Sequence, residues 1–137
     1  VFCQEAAGEL GDSSLTVHRG EQVVVLLNKF PYASGHLMVA PVRHVPGLGD
    51  LDPDEAAEIH ALTVQGIAAL TEIYAPDGFN VGWNLGAVAG GSISAHLHQH
   101  VVPRWAGDTN FMPVLADVKV LPEHLESTRA ALIEAWR

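Results

Sequence analysis

The stretch HLHQHVV, residues 96–102, places His96, His98 and His100 at every second position. Successive side chains of a β-strand point to opposite faces, so residues i, i+2 and i+4 share one face at spacings of ~6.5–7 Å. The imidazoles are therefore expected to project together, with Leu97, Gln99 and Val101 facing the other way. Three chemistries compete for such a row. A wet sheet face whose histidines do nothing is the blandest, and strict alternation argues against it. A metal site is the second, because H-x-H pairs on strands hold zinc, but no Asp or Glu stands between Asn80 and Arg104 to fix the rings. The third is nucleophilic catalysis, in which a neutral imidazole attacks phosphorus while its neighbours set its tautomer and protonate what leaves. The middle position is privileged there, since His98 alone has a histidine on both sides.

The loop before the row, GAVAGGSISA at residues 86–95, bears on that choice. Its glycines, Gly91 among them, let backbone amides approach an anion closely, and Ser92 and Ser94 add hydroxyl donors. Alone, such a loop reads as a plain connection; set against a row of imidazoles it points to phosphate. It lacks the Gly-Lys-Ser/Thr ending of a Walker loop.

Composition narrows the partners. Seven Lys and Arg against sixteen Asp and Glu give a net charge of −9, the wrong sign for a protein whose affinity rests on neutralising nucleic-acid phosphates. An anionic ligand must then be met by backbone amides, imidazoles or an isolated Arg. No apolar run approaches the ~20 residues that span a bilayer. The opening VFCQEAAGEL shows no leader pattern, and the single cysteine, Cys3, excludes an internal disulfide framework. The expectation is a cytoplasmic protein with a small-molecule partner, no membrane and no nucleic acid. At 137 residues the chain is read as a single domain over 1–137.

The elements that must carry these residues follow from turn signals and hydrophobic period. SLTVHRG and EQVVVLLNKF read as two strands joined at RGEQ, and HLMVAPV, from His36 to Val42, as a third. Residues 52–74 form the clearest helix: Asp52 is an N-cap, Pro53 suits the first turn, and Glu55 completes a capping box. Ile59, Leu62, Gly66, Ala69, Leu70 and Ile73 recur at helical spacing and form its buried stripe. FNVGWNL alternates Phe79, Val81, Trp83 and Leu85 against polar and small residues, the period of a half-buried strand. A second helix is expected from Pro122 to Trp136, with Leu125, Arg129, Leu132 and Trp136 on one side. Strands, a helix, then strands again make this an α+β fold with a mainly antiparallel sheet, one long helix and a C-terminal helix.

Two motifs now carry a resemblance. HLHQHVV resembles the histidine triad pattern, His-φ-His-φ-His-φ-φ with φ apolar, and SGHLMVAPVRHV resembles the second signature of the same HIT family, a Gly-His before a short strand ending in proline. Within it, VVPRWAGDTNF is most similar to the branch of Fhit dinucleoside polyphosphate hydrolases and actinobacterial diadenosine tetraphosphate phosphorylases. The resemblance implies a HIT-like fold and a nucleotidyl hydrolase or transferase working at the α-phosphate through a nucleotidyl-histidine. It makes His98 the nucleophile, with His96 and His100 orienting it or touching phosphate and His36 completing the set. Neighbouring imidazolium and loop amides would stabilise the phosphoryl charge. Asn28 matches a ribose-side asparagine, although an asparagine there serves a turn equally well. Asn84, Gly91 and Ser92 fall where phosphate or leaving-group contacts are expected. Trp105 could stack on a base, or equally serve an interface.

The resemblance implies no cofactor for catalysis, but some bacterial members carry a structural zinc. Cys3, His44 and His96 match three of its ligands, and the fourth falls before Val1. It implies at least a homodimer, paired through the long helix and an edge strand; Gly66 and Ala69 fit such a contact, or would pack on the chain's own sheet. Hydrolysis and phosphorolysis use the same residues. A nucleoside phosphoramidate hydrolase, a zinc hydrolase liganded by the triad, and a binding module without turnover are the rival readings. Gln99 departs from the pattern, and a buried amide there needs a partner, in a neighbouring strand or a dimer interface.

Overall fold

The computed structural model describes residues 15–89, 96–108 and 124–137. Strands β1 (Thr16–Arg19), β2 (Val23–Leu27), β3 (Leu37–Pro41), β4 (Gly78–Trp83) and β5 (Gln99–Arg104) form one sheet in the order β1-β2-β3-β5-β4. Every neighbouring pair is antiparallel. Helix α1 (Pro53–Tyr74) connects β3 to β4, and α2 (Leu125–Ala135) lies near the end of the chain. The α+β reading of the sequence holds.

The sheet's two faces are set by residue parity. Val23, Val25, Leu27, Leu37, Val39 and Val101 join Ile59, Leu62, Ala69 and Leu70 of α1 and Leu132 of α2 in the main core. Val24, Leu26, Met38 and Ala40 form a second buried cluster on the opposite face. All five residues of both β2 and β3 are buried, which is why VVVLL is continuously apolar rather than alternating. Residues paired directly across an antiparallel ladder share a face. His100 pairs with Met38 on one side and Gly82 on the other, so it stands on the face away from the helices.

Helix α1 starts where local chemistry dictates. Asp52 Oδ1 accepts the Glu55 amide at 2.8 Å, Glu55 Oε1 accepts the Asp52 amide at 3.0 Å, and Pro53 occupies the first turn. It stops at Ala75, left-handed at φ 45, followed by Pro76. Of the expected stripe, Ile59, Leu62, Gly66, Ala69 and Leu70 are buried and Ile73 is half-buried. A Cβ on Gly66 would meet Leu37 and Trp136, so this small residue serves the chain's own core. Glu55 also pairs with Arg43 at 2.7 Å, tying the segment after β3 to the helix start.

Three expectations are corrected. The third strand runs over Leu37–Pro41, leaving His36 just before it. The fourth ends at Trp83, and Val81 and Leu85 are about half exposed, because β4 is an edge with no element over its outer flank among the described residues. Helix α2 spans Leu125–Ala135 and buries Thr128, Leu132 and Ala135. Arg129 instead reaches along β1, its Nε donating to the Thr16 carbonyl at 2.8 Å, and Trp136, just past the helix end, stacks on His18. Pro122 lies outside the described residues.

Candidate active site

The histidine row is not a simple strand face. The β3–β5 ladder stops at Val39–Gln99, and the chain before Gln99 is held by the segment that follows β3. The Leu97 amide donates to the Val45 carbonyl at 2.8 Å, and His96 Nε2 donates to the Pro41 carbonyl at 2.9 Å. His96 is therefore drawn beside His44, with ring centroids 5.2 Å apart, while His98 and His100 stay edge to face at 4.9 Å. His98 and His100 keep a common side as expected, and His96, its ring anchored on Pro41, stays near enough to His98 for that ring to help lower its pKa.

Hydrogen bonding assigns the tautomers, because a carbonyl only accepts and a backbone amide only donates. His98 Nδ1 lies 3.0 Å from the His96 carbonyl, so Nδ1 carries the proton and the neutral ring keeps its lone pair on Nε2. On the other side the Tyr32 amide donates to His36 Nδ1 at 3.1 Å. The neutral His36 must then hold its proton on Nε2, which lies 2.9 Å from His100 Nδ1. His100 accepts there and is left with an Nε2–H to donate. A backbone amide thus fixes the orientation of a two-imidazole chain.

Electrostatics agree with this wiring. Burial, then the proximity of His100 and His98, lowers the His36 pKa to about 3. Burial and then His98 push His100 down, and burial is likewise the main cause that lowers His96. The expected neighbouring imidazolium is thus replaced in the free protein by neutral N–H donors, because the rings are taken out of water.

A cleft of about 610 Å³ opens beside His100, walled by Tyr32 and Ser34 of the β2–β3 loop, by Asn80–Asn84, by Arg104 at the end of β5, and by Trp105 and Asp108 after it. Asn84 and Trp105 reach this cleft, as does Trp83, which also packs on the main core. Trp105 Nε1 donates to the Tyr74 carbonyl at 3.4 Å and meets the Tyr74 ring edge-on. Asn28 Oδ1 accepts the Phe30 amide at 2.9 Å, closing a turn, while its Nδ2 lies 3.5 Å from His36 Nε2. Both of those nitrogens carry protons in the tautomer above, so this is contact rather than a hydrogen bond. Asn28 makes the turn and still faces the histidines. Gly91, Ser92 and Cys3 lie outside the described residues.

Several features escaped the sequence. Gln99 Oε1 finds a partner within its own chain: the Thr63 hydroxyl of α1 lies 2.7 Å from it and 2.7 Å from the Ile59 carbonyl. Arg104 binds Asp108 through Nε at 2.7 Å and a second nitrogen at 3.0 Å, and reaches Asn80 Oδ1 at 2.7 Å. The i, i+4 spacing of Arg104 and Asp108 was the available signal. The Tyr32 amide had none, since a backbone donor leaves no mark in residue type.

His44 and His96 fit half of a zinc site. His96 Nε2 is given to the Pro41 carbonyl, so a metal there would take Nδ1. Two imidazoles sharing a tetrahedral zinc at ~2.0–2.1 Å place their centroids ~5 Å apart, close to the 5.2 Å observed. Among the described residues no group of three metal-ligating side chains occurs.

Comparison with known proteins bears on the same residues. A model of the HIT domain matches residues 12–107. A Mycobacterium tuberculosis protein named AP-4-A phosphorylase is 48% identical over 125 residues, covering 91% of this chain and 64% of the relative. The chain thus spans less than two thirds of that relative's length. A Schizosaccharomyces pombe protein named asymmetrical bis(5'-nucleosyl)-tetraphosphatase is 28% identical over 95 residues, covering 69% of this chain and 52% of the relative. Among solved structures, a zinc-bound histidine triad family protein from Mycobacterium smegmatis superposes with a TM-score of 0.78 at 27% identity, covering 98% of this chain and 90% of that one. A hypothetical histidine triad nucleotide-binding protein from Sulfolobus tokodaii gives a TM-score of 0.77 at 26% identity, over 98% and 89%.

Proposed function

The chain belongs to the histidine triad family, its HIT-domain match covering residues 12–107, and from that premise we propose that it cleaves dinucleoside polyphosphates, diadenosine tetraphosphate first among them, through a nucleotide bound covalently to His98. The observation that carries the reading is the 3.0 Å bond from His98 Nδ1 to the His96 carbonyl, which leaves Nε2 with a lone pair to donate. The names of the M. tuberculosis and S. pombe relatives support the substrate class.

The reaction follows from the wiring. His98 Nε2 attacks the α-phosphorus; a phosphorus–nitrogen bond forms as the bridging α–β oxygen bond breaks, and the polyphosphate half leaves with those electrons. The ring becomes cationic while Nδ1–H stays on the His96 carbonyl, which is oriented to stabilise that charge. His100 Nε2–H donates to the phosphoryl or leaving oxygen, and the fixed donors act where charge develops. Water or inorganic phosphate then attacks the same phosphorus, the phosphorus–nitrogen bond breaks, and the lone pair returns to His98. Asn84, Gly91 and Ser92 are assigned to phosphate and leaving-group contacts, Asn28 to the ribose, and Trp105 to the base.

Diadenosine tetraphosphate incubated with and without phosphate tests this. ADP plus ATP marks phosphorolysis, AMP plus ATP marks hydrolysis, and the M. tuberculosis relative's name favours the first. Protein that turns over neither this substrate nor a nucleoside phosphoramidate, and yields no acid-labile adduct on His98, would refute the proposal.

Two further assignments belong to it. A structural zinc would sit on His44, His96 and Cys3, outside the reaction path; it would tie the segment after β3 to the start of the row. A second copy of the chain would pair along β4, whose flank carries a groove of about 400 Å³ lined by Leu48, Ile59, Val64, Val81 and Trp83. Val64 and Val81 are 53% and 45% exposed, and an open apolar edge of this kind calls for cover. A cytoplasmic setting is kept with this reading on the strength of the single cysteine; among the described residues no helix is long and apolar enough to cross a membrane.

A further inference from the structure

Beyond the phosphate contacts assigned to His100 and Asn84, the described walls of the cleft offer little for a further phosphate. Among its described lining residues the only cation is Arg104, and that guanidinium is already committed to Asp108 and Asn80. What the walls offer instead is the exposed ring of Tyr32, with amides at Asn80 and Asn84. Such a lining suits a nucleobase, which stacks on π-faces and needs few charges.

Tyr32 stands out within it. Its side chain belongs to neither core cluster and the residue is 74% exposed, its ring meeting the His36 ring at 4.7 Å and a tilt of 42°. Yet its backbone is pinned: the Tyr32 amide is held by His36 Nδ1, Asn28 closes the turn two residues earlier, and Gly35 supplies the left-handed step at φ +84. The ring lies 6.2 Å from the His100 ring, nearly parallel at 24°, and His100 in turn lies 4.9 Å from His98. Because Leu37 pairs with Val101, the loop carrying Tyr32 and the β5 exit carrying Trp105 reach the same end of the sheet. Moving away from the nucleophile, a ligand meets first the His100 donor and then the Tyr32 ring.

We propose that Tyr32, juxtaposed to His100 on the wall of the cleft, is the stacking platform for the base of the departing nucleotide and so sets preference for substrates with a nucleoside at both ends. This rests on the reading of His98 as nucleophile. Tyr32 acts here by touching the far half of the substrate and takes no part in bond making.

The test compares two substrates with the same four phosphates, diadenosine tetraphosphate and adenosine 5'-tetraphosphate, which lacks the second nucleoside. Loss of one stacked base costs on the order of tenfold in affinity or more. Tyr32→Ala is expected to lower kcat/KM for the dinucleotide about tenfold more than for the mononucleotide, while Tyr32→Phe keeps the wild-type ratio to within about threefold, a phenyl face replacing a phenol. An equal loss on both substrates overturns the proposal, since Tyr32 would then act through His36 and His100. An unchanged ratio in Tyr32→Ala overturns it as well. Wild-type protein inert on both nucleotides overturns the subsite before any variant is compared, and the reading of His98 falls with it when a nucleoside phosphoramidate is not turned over and leaves no adduct on His98 either.

Discussion

Protonating His36 should destabilise this protein from within, and the size of the effect follows from where the ring sits. His36 is 1% exposed, its Nδ1 is taken by an amide that can only donate, and its pKa is lowered to about 3. In the unfolded chain it titrates at ~6.5. The folded value is the depressed one, so the contribution is fully present above pH 6.5 and drains away as pH falls from there toward 3. Between pH 7.5 and 4.5 the linkage integral gives a loss of roughly 2–3 kcal/mol from this group alone. Carboxylates also titrate over part of that range, which is why the comparison needs His36→Gln. Glutamine cannot titrate, yet its carbonyl can accept from Tyr32 and its amide can donate to His100. Urea unfolding of both proteins at pH 7.5, 6.5, 5.5 and 4.5 should show the wild type losing about 2–3 kcal/mol relative to the variant as pH falls. Stability curves that stay parallel within about 0.5 kcal/mol would refute the buried neutral imidazole.

Other outcomes are expected. His98→Asn should cut turnover by about a thousandfold or more while nucleotide binding, measured at equilibrium, changes little. Gly35→Ala forces an L-residue to φ +84 with its Cβ 2.6 Å from Leu70 Cδ2; thermal or urea unfolding should register a loss of about 2–4 kcal/mol. Thr63→Val and Gln99→Leu should each destabilise, but the double variant should recover part of the sum, with a coupling near ~1 kcal/mol in a double-mutant cycle. Elemental analysis of purified protein should find zinc, diminished by His44→Ala; a content near zero in the wild type removes that site.

What could be read from the sequence was whatever a few adjacent residues determine. The start of α1 was legible because Asp52, Pro53 and Glu55 satisfy the first amides of the helix among themselves. The strands were legible because β-branched runs between turn residues have few alternatives. The histidine row was legible as chemistry and in part as geometry. Alternation put His98 and His100 on a common side, but it could not show that the ladder to β3 ends at Gln99 and that Pro41 and Val45 offer their carbonyls to His96 and Leu97. Backbone acceptors on another segment are invisible in a one-dimensional pattern. The same limit hid the partner of Gln99, which lies 36 residues away on α1.

That limit has a consequence for how the nucleophile is prepared. The groups that decide which nitrogen of each ring carries a proton are the His96 carbonyl for His98, the Pro41 carbonyl for His96 and the Tyr32 amide for His36 and, through it, His100. Each is main chain, so substituting the side chain at those positions leaves the donor or acceptor in place. What would disturb the tautomers is displacement of the backbone: loss of the left-handed step at Gly35, or release of the Arg43–Glu55 tie that holds the segment after β3 against α1. Control of protonation in this site is thus carried by the fold rather than by a neighbouring carboxylate, which accounts for an imidazole row free of Asp or Glu from Asn80 to Arg104.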